Sequence, residues 1–363
     1  MIDLDELAAA GIVDAHARRS LLEYLDSLGF TTDEMVEAER EGRLFALAGD
    51  AQMRSGRRVH SLRTVAAALG RPLDDIEHAW AALGLTVTGP DQIALTEADL
   101  EALRTWSDLS AAAGTASSLG VLRVLGATMA RFAEAESSAI RGGVPEIQMN
   151  HTHDEVATAR AYAAVTAFVP RIGKLIDAVH RQHLESARMY FEAVLSDTSA
   201  TVLCGVGFVD LSGFTALTQV VTAAELSEIL SVFTASVSDV VHADGGRVVK
   251  FIGDAVMWVT PTAEQLATAA ADLVEHPKAR EAGMQVRAGI AFGPILALDG
   301  DYFGNAVNLA ARLVAAAEPE QILATREVSE RLPEWPANPV APLALRGFDR
   351  PVHAFALDRP PGQ

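Results

Sequence analysis
The spacing of apolar and polar positions changes once along the chain, near residue 200. Before that point apolar residues recur at three- and four-residue steps, in segments rich in Ala and Leu with few β-branched runs, which predicts helices almost throughout. Pro170 is expected to end one helix. Arg171 to Leu195 then reads as another, with Ile172, Leu175, Ile176, Val179, Tyr190, Phe191 and Val194 largely on one stripe. Beyond a short linker, Asp197 to Ala200, strands enter: Val202 to Val209, then a helix from Ala223 to His242, strands Arg247 to Ile252 and Ala255 to Val259 around a Gly253-Asp254 turn, a helix from Ala263 to Val274, and a strand from Gln285 to Phe292. Strand, helix, two strands, helix, strand is the order of a ferredoxin-like, split βαβ sheet. The expected class is therefore α+β, with an all-α domain at 1–170, a connecting helix and linker at 171–200, and a sheet domain at 201–363.

Composition narrows this picture. At 363 residues, two domains are expected rather than one core. A formal net charge of −19 opposes non-specific attachment to nucleic acid or anionic lipid, because polyanions are held mainly through Lys and Arg. Cys204 is the single cysteine, so neither an intrachain disulfide nor a cysteine-rich zinc site can form. The acidic start, Met1-Ile-Asp-Leu-Asp-Glu-Leu7, is unlike a secretory signal, and no run of about 18 uncharged apolar residues is present to span a membrane. A cytoplasmic address is expected.

Two aspartates stand out against this background. Asp210, in Gly207-Phe-Val-Asp-Leu-Ser-Gly213, leaves an apolar strand at a Gly-containing turn, and Asp254 does the same at a hairpin tip. Singly, one is explicable as a helix cap and the other as turn chemistry. Together, two hard carboxylates held by sheet backbone suit a pair of Mg²⁺ ions and a nucleoside triphosphate.

The segments Phe208-Val-Asp-Leu-Ser-Gly-Phe-Thr215, Lys250-Phe-Ile-Gly-Asp-Ala-Val-Met257 and Asp301-Tyr-Phe-Gly-Asn-Ala-Val-Asn-Leu-Ala-Ala-Arg312 resemble, in order and spacing, the signature segments of class III nucleotidyl cyclases. The resemblance covers most of residues 201–357. It implies that Asp210 and Asp254, with the Leu211 carbonyl, bind two Mg²⁺ or Mn²⁺ ions, that Asn308 orients the ribose, and that Arg312 stabilises the transition state. It implies base reading by Lys250 and Asp301, a pair suited to adenine and hence to ATP; guanine would set a carbonyl against the carboxylate, a mismatch costing on the order of 1–3 kcal/mol. Arg346, in Arg346-Gly347-Phe348, looks like the basic residue that contacts the outer phosphates. The family's site lies between two catalytic domains, one expected to give Asp210, Asp254 and Lys250, the other Asp301, Asn308 and Arg312, so a homodimer is implied. The activity implied is adenylate cyclase, making 3′,5′-cyclic AMP; a guanylate cyclase and a catalytically silent nucleotide- or DNA-binding regulator are the alternatives.

The first 200 residues show no catalytic spacing. In architecture they are similar to the regulatory half of mycobacterial acid-responsive cyclases, which makes histidines near the connector, His151, His153, His180 and His183, candidates for pH sensing. Ser61 to Leu83 has a helix-turn-helix look with Arg54, Arg57, Arg58 and Arg63 nearby, but its acidic surroundings favour a packed hairpin over a DNA reader. The Ala/Leu richness would also admit a small apolar ligand between helices.

Overall fold
The computed structural model describes residues 2–194, 201–277 and 284–361, with the side chains of 188–194, 215 and 216 excepted. The expected linker at Asp197 to Ala200 and the stripe positions Tyr190, Phe191 and Val194 fall outside the described side chains. Two compact units are present, Met1–Glu185 and Ser186–Gln363.

The first unit is helical: α1 (Leu4–Ala10), α2 (Arg19–Ser27), α3 (Thr32–Arg40), α4 (Leu47–Met53), α5 (Leu62–Leu69), α6 (Leu73–Ala82), α7 (Glu97–Ala113), α8 (Thr115–Gly143), α9 (Met149–Thr152), α10 (Glu155–Thr166) and α11 (Val169–Val194). Its apolar stripes close two cores. One gathers Leu7, Leu21, Leu22, Leu25, Met35 and Ala159, the other Leu62, Val65, Ile76, Leu103 and Trp106. Arg18 fastens α10 to the first of these, donating to Glu39 at 2.7 Å and to Glu155 at 2.8 Å. Pro170 lies in the first turn of α11, where a missing N–H costs no helical hydrogen bond. Among the described residues no helix is long and apolar enough to cross a membrane.

The second unit runs β1 (Thr201–Ser212), α12 (Phe214–Leu217), α13 (Ala223–Ala243), β2 (Arg247–Ile252), β3 (Ala255–Thr260), α14 (Ala263–Val274), β4 (Gln285–Leu298), β5 (Asp301–Phe303), α15 (Asn305–Ala316), β6 (Ile322–Thr325), α16 (Arg326–Arg331), β7 (Ala337–Pro339) and β8 (Ala354–Leu357). The sheet order β2-β3-β1-β4 is the ferredoxin-like arrangement that the order of elements predicts, and β6, β8 and β7 extend it beyond β4. Helices α13 and α14 cover one face over Val209, Leu211, Trp258, Ile290 and Phe292. The other face, with Val206, Phe208, Met257, Val259 and Ala291, carries α15. Gly289 lets that helix lie close, because a Cβ there would come within 2.2 Å of the Val314 amide nitrogen.

β4 does not stop at Phe292 as expected. It continues through Pro294, which pairs with Leu203 of β1; the parallel ladder to β6 covers Ala288 to Ile290 only, so no strand on that side needs the missing proline N–H. The extra length turns back as β5, bringing Asp301 opposite Leu298.

Candidate active site
Strand register sets the two carboxylates side by side. β1 pairs with β3 up to Asp210–Ala255 and with β4 on to Ser212–Gln285. Asp254, one residue before Ala255 and just after Gly253 with its φ of 63°, therefore turns in beside Asp210. Among the described residues the ladder between β1 and β3 ends at Asp210, so Leu211 has no partner in β3. The Asp254 carboxyl is pushed above the usual carboxylate range, first by burial and further by the charge of Asp210, while its own amide and Arg287 pull it down.

Arg287, directly opposite Asp210 in the ladder, was not among the residues singled out by sequence. Its Nη2 and Nε donate to Asp210 Oδ2 at 2.7 and 3.2 Å, and its Nη1 donates to the Ala317 carbonyl at 3.2 Å. Two carboxylates thus face one guanidinium. The donor set suits hard divalent cations: adjacent carboxylate oxygens with excess negative charge, at a strand end. Among the described residues no group of three or more His, Cys, Asp or Glu converges, so two carboxylates are what the protein supplies here and substrate or water would complete a shell.

Lys250 and Asp301 form an ion pair within one chain, and Asp301 Oδ1 also accepts the Tyr302 N–H at 2.8 Å. The expected division of the site put Lys250 with Asp210 and Asp254 on one chain and Asp301 on the other; within a single chain the two residues already meet. The pair is a single unit, and it leads without interruption through β5 into α15, which carries Asn308 and Arg312.

Helix α15 turns Ala306, Ala310, Leu313 and Val314 to the sheet. Asn308 and Arg312 lie one turn apart on its far side and are exposed. Asp210 lies on the sheet face that α15 covers, whereas Asn308 and Arg312 point away from that face. Arg346 is exposed in a tight turn, where Phe348 N–H bonds the Leu345 carbonyl at 3.1 Å and Gly347 takes a φ of 89°.

The regulatory candidates are less constrained. His151 and His153 are exposed around α9, and His180 and His183 are exposed on α11. The helix-turn-helix look of Ser61 to Leu83 becomes the hairpin α5–α6, capped by Ser61 and Thr64. Its second helix begins with Asp74 and Asp75 and carries Glu77, charges that repel a phosphate backbone, and Arg63 is engaged by Asp91 at 2.6 Å.

Residues 198–357 match the family model described as adenylate and guanylate cyclase catalytic domain, and residues 3–187 match that of the adenylate cyclase regulatory domain. An uncharacterized protein of Mycobacterium tuberculosis (strain ATCC 25618 / H37Rv) is 62% identical over 356 residues, 98% of this chain and 94% of that protein. An adenylate cyclase of Streptomyces coelicolor is 34% identical over 77% of this chain and 75% of its own length. A pH-sensitive adenylate cyclase of M. tuberculosis (strain CDC 1551 / Oshkosh) is 30% identical over 94% of this chain and 88% of its own. With the carboxylate pair, the Lys250–Asp301 unit and the exposed Asn308 and Arg312 on the expected segments, the chain belongs to the class III adenylate cyclases that carry an all-helical regulatory domain ahead of the catalytic one.

Proposed function
We propose that the protein converts ATP to 3′,5′-cyclic AMP and pyrophosphate in a site shared by two copies of the chain, under control of its helical unit. The observation that carries the shared site is the placement of Asn308 and Arg312 on the side of α15 turned away from the same chain's Asp210 and Asp254. A second copy supplies what one copy cannot present. Large apolar side chains exposed next to site residues support such docking: Phe251 and Ile252 before Asp254, and Leu298 and Phe303 around Asp301.

Asp210 and Asp254 with the Leu211 backbone would hold Mg²⁺ or Mn²⁺, which when bound would supply Lewis acidity toward the ribose 3′-hydroxyl and the phosphates. Arg287 offsets part of the carboxylate charge and fixes Asp210 in place. Asp301 accepts from the adenine amino group and Lys250 donates to a ring nitrogen. Asn308 orients the ribose so that the 3′-oxygen attacks the α-phosphorus in line, and Arg312, planar and permanently charged, meets the charge developing on the phosphoryl oxygens. Arg346 contacts the outer phosphates.

Control by proton concentration draws support from the relative named pH-sensitive and from the histidines on α11 and around α9. Protonation of His180 and His183 would change the charge along the helix leading to the catalytic unit, with His151 and His153 as the second candidate pair.

The test is cyclic nucleotide production by the full-length protein with ATP or GTP, with Mg²⁺ or Mn²⁺, between about pH 5.5 and 8. Cyclic AMP from ATP, lost in Asp210→Ala, is expected. Exclusive use of GTP would overturn the substrate, and a pH profile that follows the isolated catalytic reaction alone would overturn the control.

A further inference from the structure
Lys250 meets Asp301 because β2 carries one residue more than its partner strand. Side chains alternate along a regular strand, so residues three apart emerge on opposite faces. Here the ladder runs Arg247–Val259, Val248–Trp258 and then Lys250–Met257, leaving Val249 unmatched. This is a β-bulge, and it resets the alternation. Val259 and Met257 belong to the cluster under α15, whereas Trp258 belongs to the opposite one. Directly paired residues share a face, so Arg247 and Lys250 both emerge on the α15 side.

Both then reach β5, at consecutive residues. Arg247 donates from Nη2 to the Tyr302 hydroxyl, and its guanidinium carbon lies 5.5 Å from the centre of the Tyr302 ring. Tyr302 is 3% exposed and packs with Phe208, Met257 and Val259. Burial holds its phenol above the ordinary value, so the hydroxyl stays neutral. The Tyr302 backbone N–H in turn holds Asp301 Oδ1 at 2.8 Å. The chain of contacts therefore runs from the bulged strand through Arg247 and Tyr302 to one oxygen of Asp301, while Lys250 holds the other.

We propose that Arg247 is a positioning residue for base selection. By anchoring Tyr302 from the bulged strand it fixes the backbone that presents Asp301, and so keeps the Asp301 carboxylate and the Lys250 ammonium in the geometry that tells the amino edge of adenine from the carbonyl edge of guanine. This rests on the reading of Lys250 and Asp301 as the base readers. Arg247 itself touches no substrate in this scheme; it acts through Tyr302.

The experiment compares full-length Arg247→Met, Tyr302→Phe and Arg247→Lys with the parent, measuring kcat and KM for ATP and GTP and the thermal midpoint. In Arg247→Met and Tyr302→Phe the ratio of kcat/KM for ATP over GTP is expected to fall about tenfold, mainly through KM for ATP, with kcat for ATP within about threefold. Arg247→Lys should recover part of the ratio, since a lysine can still donate to the hydroxyl. Tyr302→Phe removes one oxygen from a ring that stays packed, so it reports even if Arg247→Met folds poorly. An unchanged ratio in both Tyr302→Phe and Arg247→Met overturns the positioning role. Lys250→Ala distinguishes the two levels: a ratio lost there but held in the Arg247 and Tyr302 variants leaves base reading standing and sinks only the positioning, whereas a ratio held in all three sinks both.

Discussion
Arg287 donates to Asp210 at 2.7 Å from the adjacent strand, 77 positions away in sequence, and so places a guanidinium beside the carboxylate pair of the active site. Its own position is secured by the Ala317 carbonyl at the end of α15. The ion pair is largely buried, with 25% of the arginine and 18% of the aspartate side chain exposed. Removing the arginine leaves two neighbouring carboxylates with no counter-charge from this strand. Arg287→Ala is expected to destabilise the metal-free protein by about 1–3 kcal/mol at neutral pH. Because a divalent cation or a proton can offset the same charge, the loss should shrink when Mg²⁺ is added and as the pH falls through the carboxylate range. Denaturant titrations with EDTA or with Mg²⁺ check this; an equal loss in both would mean that Arg287 does not serve the pair.

Asp254 gives a pH dependence of definite sign. Its carboxyl is raised by burial and by Asp210, so the native state binds its proton more tightly than the unfolded chain does. The associated stability is present below the ordinary carboxylate pKa and is lost as the pH rises through the raised one. Asp254→Asn keeps the shape without the charge and should therefore melt about 1–3 °C higher than the parent at neutral pH in EDTA, with the gain vanishing in acid. The same variant should lose cyclase activity. Mg²⁺ should raise the parent's midpoint and leave that of Asp254→Asn nearly unmoved, and differential scanning calorimetry distinguishes these outcomes.

The order of elements from Val202 to Phe292 was enough to place β2, β3, β1 and β4 side by side, since strand periodicity and a Gly253-Asp254 turn are local signals. Asp210, Asp254, Asn308 and Arg312 could be singled out from sequence because they sit on short contiguous segments. The site was not legible where register decides the contact. Arg287 is a lone charge in an apolar strand, which signals that a partner is needed but not that the partner is Asp210. The meeting of Lys250 with Asp301 within one chain was not legible for the same reason: the bulge at Val249 and the return of β5 bring the two together, and neither is written in the local pattern. β4 outran its expected end because the hydrogen-bonding need at Pro294 depends on which strands flank it, and that is a property of the assembled sheet.

In the helical unit Arg18 joins segments that are far apart in sequence, bonding Glu39 of α3 and, through both Nε and Nη2, Glu155 at the start of α10. The three side chains are mostly buried, at 18%, 15% and 28% exposure. Arg18→Met would leave two half-buried carboxylates unpaired, a loss of roughly 2–4 kcal/mol. A matching change, Glu155→Gln, removes one charge and keeps a hydrogen-bond acceptor, so it should cost less than half as much. Chemical unfolding of the full-length variants measures both, and a negligible effect of Arg18→Met would show that α10 is held by the apolar packing of its own Ala159 against that core instead.

The division of the site can be read by mixing inactive chains. With Lys250 on the same side as Asp301, Asn308 and Arg312, a dimer of Asp254→Ala with Arg312→Ala has one composite site in which every group is intact, and so does a dimer of Asp254→Ala with Lys250→Ala. Random pairing makes about half the dimers mixed, each with one working site of two, so about a quarter of parental activity should return in both mixtures. Lys250→Ala mixed with Arg312→Ala is different, because each composite site then lacks one of the two residues and activity should stay near that of the variants alone. Had Lys250 acted beside Asp210 and Asp254, the outcomes would exchange: Lys250→Ala would be rescued by Arg312→Ala and not by Asp254→Ala. Cyclic AMP assays on the three mixtures, with heterodimers verified by differential tagging, therefore decide between the two divisions, and no recovery in any mixture would count against a shared site altogether.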